Sequence, residues 1–83
     1  MKVNVKYFAS IRESLGRASE VVETSAATCA DLRSELLARG EPYASALARG
    51  KSVRVALDQV MGDEAVALHE GCEIAFFPPV TGG

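Results

Sequence analysis

Val3, Val5 and Tyr7 alternate with Asn4 and Lys6 at the start of the chain. A period of two predicts a strand with one buried face. A turn region around Ser14–Ala18, containing Gly16, leads to a second predicted strand over Ser19–Thr24, and the two read as a hairpin or near-hairpin. The period then lengthens. In TCADLRSELLARG, Cys29, Leu32 and Leu36 recur at helical spacing and Leu37 widens the stripe. Thr28 is placed to cap this helix through its hydroxyl, with Asp31 three residues on as a short-armed capping box. Gly40 stands where a left-handed terminator belongs. EPYASALARG predicts a second, short helix with Pro42 in its first turn. Alternation returns in KSVRVALD, where Val53, Val55 and Leu57 share a face. It loosens into turns and a short edge strand near MGDEAVALHEG, and ends in CEIAFF, with Ile74 and Phe76 on one face and Ala75 and Phe77 on the other. Pro78 and Pro79 stop that strand, because proline has no N–H for a ladder.

The order strand, strand, helix, strand, short strand, strand calls for one principal helix over the apolar face of a mixed sheet. That is an α+β roll, and the ubiquitin-like β-grasp is the familiar fold with this order. With 83 residues the chain has room for one core. We therefore expect a domain over 1–77 and an extended tail over 78–83. A core of this size leaves a thin stability margin, so a partner subunit is a reasonable source of support.

Composition narrows the function classes. A net charge of −2 with no basic stripe argues against a nucleic-acid surface. No stretch approaches a membrane span, and MKVNVKYF lacks the apolar run of a signal peptide. Two cysteines, Cys29 and Cys72, are too few for a disulfide scaffold, so a cytoplasmic protein with reduced thiols is expected. Cys29 falls in the helical stripe and reads as a buried structural residue; Cys72 reads as a turn residue with room to be exposed. His69 has no nearby Cys or His and reads as a solvated loop residue. Glu13, Glu64 and Glu73 form no pair suited to acid–base work. No metal motif or phosphate loop is present.

The chemistry concentrates in the ending, FFPPVTGG. A terminal carboxyl is an anion at neutral pH and can attack the α-phosphate of ATP to give an acyl-adenylate. Gly82 and Gly83 leave that carbonyl uncrowded and free in its backbone angles. Pro78 and Pro79 favour an extended path with little entropy left to lose on docking. Six residues from Pro78 to Gly83 reach about 20 Å, enough to enter a deep site, and Val80 and Thr81 are slim enough for a narrow channel. Phe77, emerging beside this tail, is either a partner anchor or packed beneath a loop. A diglycine end arises by chance in roughly one chain in 200; joined to a strand, a proline pair and this element order, it is informative.

Over nearly its whole length the sequence resembles the small, sulfur-carrier subunits of molybdopterin synthase. VNVKYFASIRESLG, DLRSELLARG and above all CEIAFFPPVTGG carry the resemblance. It departs from that family at Cys72, where Asp is usual, and at Asp58, where Asn is frequent. The resemblance implies that a ubiquitin-activating-like adenylyltransferase uses ATP to adenylate Gly83, and that a sulfur donor protein then supports its conversion to a thiocarboxylate. It further implies that the tail enters the large synthase subunit, in an assembly of two large and two small subunits. There it would donate sulfur to cyclic pyranopterin monophosphate, forming the dithiolene of molybdopterin. Catalytic side chains would belong to the large subunit, and no cofactor would be bound tightly by the small one. A thiamine-pathway carrier, a ubiquitin-like modifier joined to lysines, and an interaction domain with an accidental diglycine are the competing readings.

Overall fold

A computed structural model describes residues 1–79. Its elements are β1 (Lys2–Tyr7), α1 (Ala9–Leu15), β2 (Ser19–Glu23), α2 (Cys29–Leu37), α3 (Tyr43–Ala46), β3 (Arg54–Leu57), β4 (Val60–Gly62) and β5 (Glu73–Phe77). The five strands form one mixed sheet in the order β2-β1-β5-β3-β4. First and last strands run parallel at its centre, with Val5 beside Ile74 and Tyr7 beside Phe76. The remaining pairings are antiparallel. This is the expected α+β, ubiquitin-like β-grasp.

Register follows from alternation. Val3, Val5, Tyr7, Ile74 and Phe76 are essentially inaccessible and point to the helical side, where they meet Leu32 and Leu36 of α2 in one core. A one-residue slip of either central strand would send its apolar set to the other face. The Tyr7 and Phe76 rings stack with centroids 6.3 Å apart. As expected, Thr28 caps α2, its Oγ1 accepting the Asp31 N–H at 3.2 Å. The helix ends at Leu37; Gly40, at φ +85°, turns the chain three residues later.

Three expectations need correction. The segment between the first two strands is more than a turn, because Ala9–Leu15 is helical, buries Ile11 and ends on left-handed Gly16. Among the described residues α2 is therefore the main helix, as expected, with two shorter helices, α1 and α3, in place of a single short companion. Pro42 precedes α3 instead of lying within its first turn. Cys72 is also not an exposed turn residue: it is 1% accessible. Its carbonyl accepts the Asn4 N–H at 2.8 Å, so it extends the inward series of Ile74 and Phe76 by one step.

Candidate functional site

The site assembles where the two central strands end together. Tyr7 and Phe76 are paired and point inward, so the next residue of each strand, Phe8 and Phe77, turns to the opposite face. Their rings meet edge to face at 88°, with centroids 6.4 Å apart. The Phe8 N–H bonds the Phe76 carbonyl at 3.1 Å, fixing this junction through the backbone. Phe8 is 45% exposed and Phe77 is half-buried. Between them and Ala56, Ala75, Gln59 and Glu73 lies an open apolar depression of about 380 Å3. Met61, paired with Ala56 and 57% exposed, carries the apolar surface towards the β4 edge. An aromatic-rich patch of this kind on the helix-free face is the usual mark of an interface.

Phe77 thus stands on the helix-free face, as its alternation predicts. It packs against Phe8 and still keeps part of its ring accessible. Sequence reasoning missed Phe8, although the signal was present: YF and FF end the two parallel strands alike. Pro78 and Pro79, both half-buried, continue from β5 without joining a strand. The expected channel and acceptor positions Val80, Thr81, Gly82 and Gly83 lie outside the described residues.

The remaining candidates are kept apart from this rim. Burial, followed by the nearby Glu64 and Cys72, pushes the Cys29 thiol up to about 12, against the pull of Arg33. A thiol so shifted is a poor nucleophile at neutral pH. His69 is exposed, and its Nε2 lies 2.9 Å from Asp58 Oδ2. Asp58 opens the two-residue turn between β3 and β4 at φ +48°, with Gln59 at +69°, angles of the hairpin-forming type I′ turn. Its other oxygen accepts the Glu73 N–H at 2.9 Å. That bond and then His69 hold its carboxyl below the usual range. Asp58 therefore ties the turn to the start of β5. Among the described residues, no group of three or more His, Cys, Asp or Glu stands ready to hold a metal, and no helix is long and apolar enough to cross a membrane.

Residues 5–83 match the ThiS family. The chain belongs to the ThiS family. A Haemophilus influenzae relative described as a molybdopterin synthase sulfur carrier subunit is 42% identical over 81 residues, covering 98% of this chain and 99% of its own. Among solved structures, SAMP1 from Haloferax volcanii superposes over the whole of both chains with a TM-score of 0.77 and 26% identity. A structure from Helicobacter pylori, described as a complex of subunits 1 and 2 of molybdopterin-converting factor, contains a chain 25% identical with full coverage of both and a TM-score of 0.68. The likeness to these ThiS-family and β-grasp proteins therefore spans the domain as a unit, and the family match also takes in the FFPPVTGG segment.

Proposed function

We propose that the chain is the sulfur-carrier subunit of molybdopterin synthase. The observation that carries this reading is the family match running through residue 83, combined with near-complete likeness to a relative of that description. Gly83 is the reacting residue. Its carboxylate attacks the α-phosphate of ATP on a ubiquitin-activating-like adenylyltransferase, and pyrophosphate leaves. Sulfide-level sulfur delivered by a donor protein then attacks the acyl carbonyl and displaces AMP, giving a thiocarboxylate. Its sulfur passes to cyclic pyranopterin monophosphate on the large subunit, and hydrolysis of the acyl–sulfur bond returns Gly83 to the carboxylate. ATP is consumed by the activating enzyme and is not a resident cofactor of the carrier. Gly82 keeps the carbonyl accessible, while Pro78, Pro79, Val80 and Thr81 form the stem that enters the partner.

The Phe8–Phe77 surface gives this reading its docking element. It borders the point from which the stem departs, so the same partner can hold the aromatic face and receive the tail. The related complex of subunits 1 and 2 supports a large-subunit partner of this kind, and two large with two small subunits is the proposed assembly. All of these steps are proposed to take place in the cytoplasm.

Intact-mass analysis tests the chemistry. Incubation with ATP, the activating enzyme and a sulfur donor is expected to exchange one oxygen for sulfur at Gly83. Deleting Gly82 and Gly83 is expected to abolish the exchange and leave the thermal transition in place. Sulfur found on Cys29 or Cys72 overturns the reading, and lysine conjugates carrying the tail would mark a protein modifier instead.

A further inference from the structure

Backbone pairing of β3 with β5 ends at Arg54 opposite Phe77. Pro78 has no N–H with which to continue it. The sheet therefore stops guiding the chain where the stem begins, so what stands beside Pro78 bears on the stem's direction. Pro78 borders a small cleft of about 90 Å3, walled by Ile11 and Ser14 of α1, Ala46 of α3, and Lys51 and Val53 of the irregular segment before β3.

That irregular wall is held from inside the protein. Among the described residues, its internal backbone bonding is a bond from the Lys51 N–H to the Ala48 carbonyl at 2.9 Å. Arg33 of α2 gathers its carbonyls. Nε donates to Leu47 O at 2.8 Å, and Nη2 donates to Ala48 O at 2.6 Å and to Lys51 O at 3.4 Å. Nη1 donates to Glu64 at 3.1 Å. The residue is only 3% exposed. Burying a guanidinium is costly, and an apolar side chain would fill the same space more cheaply. What an apolar residue cannot do is fix three carbonyls in one geometry.

We propose that Arg33 is a positioning residue for the tail: by pinning the carbonyls of Leu47, Ala48 and Lys51 it holds the wall that faces Pro78 across the cleft. The wall in turn sets the direction in which Pro78 and Pro79 leave β5. This rests on the carrier reading above, because a fixed exit direction matters to a tail that must enter a partner's site. A wall that moves would let the stem sample many directions, and docking would have to select among them.

Two variants separate this role from simple loop support. Arg33→Gln weakens the clamp, whereas Ser14→Leu fills the cleft from an exposed position without touching the clamp. With the activating enzyme and ATP, each is expected to raise the KM for the carrier roughly three- to tenfold and to leave kcat within about twofold. The double variant should show no more than the larger single effect, since both act on one cleft. Arg33→Lys should recover part of the loss. Nuclear Overhauser contacts from the Pro78 ring to Ile11 and Val53 should weaken in both single variants. Unchanged KM and unchanged Pro78 contacts in folded Arg33→Gln or Ser14→Leu protein overturn the proposal, as does simple additivity. If Arg33→Gln does not fold, Ser14→Leu and Arg33→Lys carry the test. If the wild type is not adenylated at all, the carrier reading fails and the Pro78 contacts alone decide the positioning role.

Discussion

Glu20 shows how one carboxylate can join four parts of a small protein. Its oxygens accept from Tyr7 at 2.8 Å, Tyr43 at 2.7 Å, Arg17 at 3.0 Å and Arg39 at 3.2 Å. Burial raises its pKa, but bonds from Tyr43, Tyr7 and Arg39, with the charge of Arg17, outweigh that and hold it below 4.5. Burial, then the bond to Glu20, pushes the Tyr7 phenol well above its ordinary 10.0. A depressed carboxyl contributes stability that is present above its unfolded pKa and is lost as pH falls through the folded one. Wild-type stability should therefore decline below about pH 4.5, and Glu20→Gln should flatten that decline while lowering stability at pH 7 by about 1–3 kcal/mol. Urea midpoints from pH 3 to 7 check this; parallel curves for the two proteins would remove Glu20 from the account. The cysteines give a second residue-scale test. Both are buried, so a thiol reagent at neutral pH should titrate neither in the folded protein and both in denaturant. Rapid native labelling of either would contradict their placement in the core.

Among the elements, α2 was the most legible because several signals agreed: the Cys29, Leu32 and Leu36 spacing, the Thr28 cap and the nearby Gly40. Thr28→Ala removes the acceptor for the Asp31 N–H and should cost about 1 kcal/mol. At this chain size that lowers the melting temperature by roughly 4–8 °C; an unchanged transition would mean that another group replaces the cap. By contrast, α1 was hidden. Its seven residues bury Ile11 alone and have no side-chain cap, so only the Ile11–Leu15 spacing and Gly16 could have revealed it. The β3–β4 turn was obscured for a different reason. Its positive-φ positions are Asp58 and Gln59 in place of the Asn-Gly or Asp-Gly pairs that usually announce such a turn. Cys72 was misread because neighbouring Gly71 suggested a turn, although a period of two back from Phe76 and Ile74 already placed it inside.

At the scale of the whole molecule, alternation fixed which face of each central strand is buried, but not which strands would be neighbours. The parallel meeting of β1 and β5 brings residues 8 and 77 together, a contact across most of the chain that no local pattern reports. That long-range pairing joins two aromatics that separately look incidental into one patch, the docking surface proposed above. Phe77→Ala is expected to weaken association with the large subunit roughly thirtyfold, about 2 kcal/mol for loss of an aromatic anchor. Phe8→Ala should weaken it as well, and the double variant should lose less than the sum, because each ring positions the other. Since Phe77 is half-buried and lies outside the main core, the free domain should remain folded. Calorimetric titration with the large subunit, paired with thermal melts of each carrier, resolves the two roles. Unchanged affinity with a lowered melting temperature would assign Phe77 to domain stability and leave the partner held by the tail alone.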